Sequence, residues 1–230
     1  MTTARIVRNI TPNKITIEMK MLTDIIQLTL DRDLCQGCDI CSTVCPKDAV
    51  KIGPVGGGRK GATSMPSIII DEDQCVLCGV CILLCPYGAL SLEINGEQRT
   101  ILAEYQALPP LDFKEVRNDQ TGLKGLKYLE GEIRVEPTKC PGGCSTCIDV
   151  CPFGAFYLPQ SEHPWDKLPR IAVDEEKCIF CGTCVLACPA FDAITLKRKT
   201  VKWAGELTRF AKELEEKLVE PKVSRRLGRE

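Results

Sequence analysis

Sixteen cysteines are the main chemical resource of this 230-residue chain, and each falls in a short, regular group. The groups are Cys35, Cys38, Cys41 and Cys45; Cys75, Cys78, Cys81 and Cys85; Cys140, Cys144, Cys147 and Cys151; and Cys178, Cys181, Cys184 and Cys188. Three of them read C-x2-C-x2-C-x3-C and run into a proline: Pro46, Pro86 and Pro189. The third widens its first gap to hold Pro141, Gly142 and Gly143, and ends before Pro152. Thiols this close together can turn toward one concavity while the backbone N–H groups of the loop point inward. Such donors suit an anionic cluster of iron and sulfide, because they hydrogen-bond its sulfurs and help set its potential.

Two other uses of cysteine fit less well. Structural zinc favours two separated C-x2-C pairs over three evenly spaced thiols followed by C-x3-C-P. Disulfides belong to oxidising compartments, and Met1 to Ile10 lacks the apolar core of a secretory signal, so a cytoplasmic location is expected. Three clustered thiolates cap three corners of a cubane and leave the fourth iron to a distant ligand. In two-cluster proteins with this run, the fourth cysteine ligates the other cluster. The expected ligand sets are therefore crossed, and there are four [4Fe–4S] clusters. The first takes Cys35, Cys38, Cys41 and Cys85, and the second Cys75, Cys78, Cys81 and Cys45. The third takes Cys140, Cys144, Cys147 and Cys188, and the fourth Cys178, Cys181, Cys184 and Cys151. The widened third motif is expected to loop out at Gly142-Gly143, with a distorted or labile cluster as the alternative.

The elements that position these loops repeat as well. A short apolar run ending in an acidic residue precedes each motif: Leu28–Asp31, Ile68–Asp71, Ile133–Glu136 and Ile171–Asp174. A second run follows each proline, at 49–52, 89–92, 155–158 and 193–196. Short alternating runs bounded by turn residues read as strands. The three residues between third and fourth cysteines span about one helical turn. Each unit is thus strand, ligand loop, short helix, strand. The fold class is α+β: two tandem ferredoxin-like modules, 26–98 and 131–199, with a linker at 99–130 that holds at most one short helix and has partner docking as its alternative role. A C-terminal part, 200–230, completes the chain. There Trp203, Leu207, Phe210, Ala211, Leu214 and Leu218 follow helical spacing, and Lys222, Arg225, Arg226 and Arg229 form a basic tail. Packing on the second module and docking to a larger complex are both open readings of that helix.

Composition supports a core held partly by clusters. Apolar residues are 44%, roughly 37% once cysteine is set aside, and aromatics only 5%. The formal charge of −1 argues against nucleic-acid binding, and four clusters would bring it to about −9. No apolar run approaches the ~18 residues of a membrane span. The segment Gly53–Gly61 fails the phosphate-loop pattern, because Arg59 follows Gly58, and reads as a loop between strands. His163, in a proline-flanked loop, reads as a surface residue. No nucleophilic triad, paired carboxylates or nucleotide fingerprint appears, so no catalytic residue is expected and the chain reads as an electron carrier, not an enzyme.

Tandem C-x2-C-x2-C-x3-C-P motifs over about 28–200 resemble the bacterial-type ferredoxins and the polyferredoxins. The stretch Val135–Cys144 with its widened gap, Tyr157-Leu158-Pro159 and Ile171–Asp174 before Cys178 narrow the similarity. With the basic tail, they resemble the polyferredoxin subunit of archaeal formylmethanofuran dehydrogenase, whose better-known members carry more modules. That resemblance implies cluster ligation by the sixteen cysteines. It also implies partners that include a tungsten- or molybdenum-pterin catalytic subunit and other iron–sulfur carriers. Alternatives are an electron carrier for another oxidoreductase, such as a hydrogenase or formate dehydrogenase, or a structural or sensing iron–sulfur protein.

Overall fold

The computed structural model describes residues 5–53, 68–141, 143–160, 163, 169–190 and 192–219. Strands β1 (Arg5–Ile10), β2 (Lys14–Lys20) and β3 (Ile25–Asp31) form a meander at the start of the chain. The first cysteine group follows, with helix α1 (Ile40–Val44), then β4 (Val50–Ile52). Strand β5 (Ile68–Ile70) leads into the second group with α2 (Val80–Leu83), then β6 (Leu90–Ile94) and β7 (Glu97–Gln98). The sheet runs β1-β2-β3-β6-β7, and β4 pairs with β5. Period-two alternation buries one face: Ile15 and Leu90 flank Leu30, while Ile17 and Leu92 flank Leu28, in register across three strands.

The segment read as a linker carries more structure than expected. Helix α3 (Ile101–Glu104) is followed by the hairpin β8 (Lys114–Arg117) and β9 (Lys124–Lys127). Strand β10 (Leu129–Val135) starts two residues before the expected module boundary. Then come α4 (Thr146–Val150), β11 (Phe156–Tyr157), β12 (Ala172–Val173), α5 (Thr183–Ala187), β13 (Ile194–Val201) and α6 (Arg209–Val219). The second half repeats the pairing of the first, β10 with β13 and β11 with β12.

This pairing is what interleaves the repeats. The strand before one motif pairs with the strand after its neighbour, β3 with β6 and β10 with β13. The acidic residue that ends each leading run bonds across to the alanine after the neighbouring proline: Asp31 N–H to Ala89 O, Asp71 to Ala49, Glu136 to Ala193 and Asp174 to Ala155, at 2.7–2.8 Å. Helices α1 and α2 pack together, as do α4 and α5.

The terminal helix begins at Arg209, later than its apolar spacing suggested. Thr208 caps it, its Oγ1 accepting from Ala211 N–H at 3.1 Å and donating to Ala107 O at 2.9 Å. Trp203 instead bridges to Leu111. Ala211, Leu214 and Leu218 are fully buried, and α6 packs on β13 and on α1, so it touches both halves. The Gly-rich loop beyond Gly53 and the basic tail lie outside the described residues; His163 is exposed. Among the described residues, no helix is long and apolar enough to cross a membrane.

Candidate metal centres

The acidic residue at the end of each leading strand starts the ligand loop. Asp31 Oδ1 accepts from the N–H groups of Asp33 and Leu34, Asp71 Oδ1 from Asp73 and Gln74, and Asp174 Oδ1 from Glu176 and Lys177. These Asx turns, with main-chain bonds such as Cys35 N–H to Asp31 O, aim the first cysteine. The residue before the second cysteine is left-handed in all four loops: Gly37, Leu77, Gly143 and Phe180 have φ of 66°, 53°, 78° and 56°. Leu77 and Phe180 take a conformation that costs a side-chain-bearing residue energy. Both are buried, and the strained turn is common to all four loops.

The thiols stand around cavities that bring together residues from both repeats of a module. Cys45, Cys75, Cys78 and Cys81 line one, with Leu28 and Val80 on its apolar wall. Cys35, Cys38, Cys41 and Cys85 line a second beside Ile40 and Tyr87. Cys151, Cys178, Cys181 and Cys184 line a third. In each, the fourth cysteine comes from the other repeat. In the remaining set, Cys147 feels the charges of Cys140 and Cys188. Cys144 sits at the rim, its Sγ 3.4 Å from Thr146 Oγ1. Among the described residues, no three of His, Cys, Asp and Glu gather tightly enough for a single metal ion. All sixteen cysteines are outside disulfides.

The walls suit a sulfur-rich anionic group. Ala49, Ala89 and Ala155 each donate a backbone N–H to the Sγ of the cysteine four residues earlier, at 3.3 Å. The fourth repeat has one more residue after its proline, and there Cys188 Sγ donates to Ala190 O at 3.2 Å instead. Burial, then neighbouring thiols, push Cys38, Cys41, Cys81 and Cys184 well above the ordinary thiol range. Burial raises Cys147 to about 11 and Cys178 to about 12. Thiolates in these cavities need a compensating cation, which iron would supply if bound there. Cys144 goes the other way, lowered by its hydrogen bond with Thr146.

Two of the cavities face each other across the boundary between the halves. Cys38, on the first module, feels the charge of Cys181 on the second. Between them lies Tyr87, its hydroxyl buried beside Cys181 and its phenol held above the ordinary range by burial and then by Cys181 and Cys38. Thr183 Oγ1 donates to Gln36 O at 3.2 Å, Leu126 N–H to Pro86 O at 2.8 Å, and the buried Tyr128 hydroxyl to Leu84 O at 2.5 Å. Arg198 reaches Asp39 from the other side. Sequence reasoning passed over Tyr87, Thr183, Leu126, Tyr128, Asp39 and Arg198. One signal was available for Tyr87 and Phe153: both follow a Cys-Pro pair, and only in the second and third repeats is that position aromatic.

Comparison with known proteins places the chain among iron–sulfur carriers. Family models described as 4Fe-4S dicluster domain match residues 28–89, 67–152 and 139–194. NADH-quinone oxidoreductase subunit I 2 of Symbiobacterium thermophilum is 30% identical over 88 residues, 36% of each chain. A component of the Na(+)-translocating ferredoxin:NAD(+) oxidoreductase complex of Acetobacterium woodii is 37% identical over 90 residues, 38% of this chain and 20% of that one. The chain thus spans about a third or less of those two relatives. A chain of the formate dehydrogenase–heterodisulfide reductase–formylmethanofuran dehydrogenase complex from Methanospirillum hungatei superposes with a TM-score of 0.81 at 29% identity. That superposition covers 98% of this chain and 97% of the other.

Proposed function

On a chain that is a polyferredoxin-type protein built of tandem 4Fe-4S dicluster ferredoxin domains, we propose that the sixteen cysteines hold four [4Fe–4S] clusters in the crossed sets given above. Each bound cluster supplies reversible one-electron transfer. The chain's own residues bind, insulate and align. The leading aspartates aim the loops, the alanine N–H groups stabilise thiolate charge, and the apolar walls exclude water. With four cysteines per cluster, no iron is left open to substrate, so the chain conducts electrons without an active site of its own.

The cavities also suggest an order. Cys38 lies within electrostatic reach of Cys181 across the boundary, so the route runs from the Cys75 set to the Cys35 set, across to the Cys178 set, and on to the Cys140 set. The sequence order of the motifs is not the order in space. The two outer sets are then the contacts for partners.

For the complex, the reading is an electron-transfer subunit of a formylmethanofuran dehydrogenase assembly with a tungsten- or molybdenum-pterin partner. One observation carries it: the superposition on a chain of such a complex runs end to end, where the quinone-oxidoreductase and ion-translocating relatives match only a part. Their names favour a second reading, a subunit of an NADH-quinone or Na(+)-translocating ferredoxin:NAD(+) oxidoreductase. Affinity purification of the full chain under strict anaerobiosis separates the two. Co-purifying pterin-metal subunits support the first; NADH- or quinone-reacting subunits without them overturn it in favour of the second.

A further inference from the structure

Arg198 is the most deeply buried charged side chain among the described residues, 4% exposed, and from β13 it reaches a ligand loop of each of the two boundary cavities. Its Nη2 donates to Asp39 Oδ1 at 2.5 Å and to Cys181 O at 3.0 Å, and its Nε donates to Phe180 O at 2.9 Å. Asp39 follows Cys38 in the first module, so one guanidinium joins a ligand loop from each half. The fit is close. A Cβ on Gly182, where φ is +90°, would stand 3.1 Å from both Arg198 Nη2 and Asp39 Oδ1. Burial works against the charged guanidinium, but Asp39, Cys38 and Cys181 outweigh it and hold Arg198 above its ordinary value.

A clamp that only joined two modules would not need a charge at this place. A buried ion pair is a costly fastener, and packed apolar groups of the same volume do the job as well or better. Its position gives the charge another role. In a poorly screened interior, a fixed cation favours the more negative, reduced state of any cluster beside it. Here it stands beside two.

We propose that Arg198 is a positioning residue for electron transfer, a cation shared by the Cys35 and Cys178 cavities that holds the potentials of both bound clusters above those of the outer pair, with Asp39 as the counter-charge that limits the effect. The inference rests on the proposal that these cavities hold clusters. The electron that enters one boundary cluster has left its neighbour, and no bond or proton changes hands. Sharing one cation keeps the two boundary potentials matched, which suits transfer between modules that no ligand crosses.

The test is a redox titration of the full-length, cluster-loaded protein followed by electron paramagnetic resonance. Asp39→Asn keeps an oxygen acceptor for Arg198 but removes the counter-charge, and should move two of the four potentials positive. Arg198→Met leaves Asp39 uncompensated and should move the same two negative. Each shift is expected to be at least tenfold in the reduction equilibrium, about 59 mV for one electron. Arg198→Lys should stay close to wild type. If Arg198→Met does not fold, Asp39→Asn still decides. Shifts of the same sign in both variants, an equal shift in all four clusters, or no shift in Asp39→Asn would overturn the proposal and leave Arg198 a clamp. A wild-type protein that holds no clusters would overturn the underlying reading instead.

Discussion

Tyr87 and Phe153 stack across the boundary between the two modules, with ring centroids 6.1 Å apart and planes within 9°. The two rings occupy the same place in their repeats, one after Cys85-Pro86 and the other after Cys151-Pro152. Cys85 and Cys151 are the cysteines that each repeat lends to a cavity facing the boundary. In the repeats whose last cysteine serves an outer cavity, the same place holds Lys47 and Ala190. The aromatic pair therefore marks where the modules meet.

Truncating that pair should loosen the boundary. Phe153→Ala is expected to cost about 3–5 kcal/mol, while Tyr87→Phe keeps the ring and removes only the hydroxyl beside Cys181, so its stability should stay near wild type. Anaerobic thermal unfolding with limited proteolysis between residues 99 and 130 checks both. Equal losses in the two variants would contradict the packing role.

Crossed ligation gives a count that uncrossed ligation does not. Cys35→Ser with Cys85→Ser should disable one cluster and remove about four of sixteen irons, whereas Cys35→Ser with Cys45→Ser should disable two and remove about eight. Iron analysis of the two double variants reads the difference. The reverse result would show that each motif keeps its own fourth cysteine.

The Cys140 set should be the first to lose its cluster. Its first gap is widened, Cys144 is only partly buried, and Cys188 Sγ donates to Ala190 O where Cys45, Cys85 and Cys151 each accept an alanine N–H. Under limited oxygen or chelator, one cluster of four is expected to decay first. Cys144→Ser should remove that fast phase without altering the rest.

Assembly should depend on pH with a definite sign. The buried thiols are raised, Cys147 to about 11 and Cys178 to about 12, so near neutrality they are protonated and must release protons to bind iron. Cluster reconstitution is therefore expected to weaken as pH falls from about 8.5 to about 6.5. Visible absorbance after anaerobic reconstitution across that range is the measurement.

Much of this was legible in the sequence because repetition and period-two alternation are written locally. The motifs, their flanking strands and the short helix before each fourth cysteine all follow from nearby residues. The hairpin β1–β2 was missed although Ile15 and Ile17 alternate with polar residues, because the cysteine repeats begin only after the first 25 residues and say nothing about them. The structure within 99–130 was hidden by Pro109-Pro110 and a polar run whose packing partners lie far away in sequence. Leu126 bonds to Pro86, and Tyr128 to Leu84. Arg198 was the least legible. It stands between Lys197 and Lys199 in a basic run that reads as solvated, and only the β13 register turns it inward.

Iron and acid-labile sulfide per chain, measured on protein purified without oxygen, test the central claim most directly. Four clusters in the crossed sets require about sixteen of each. About four zinc ions with no sulfide would contradict the account at its root.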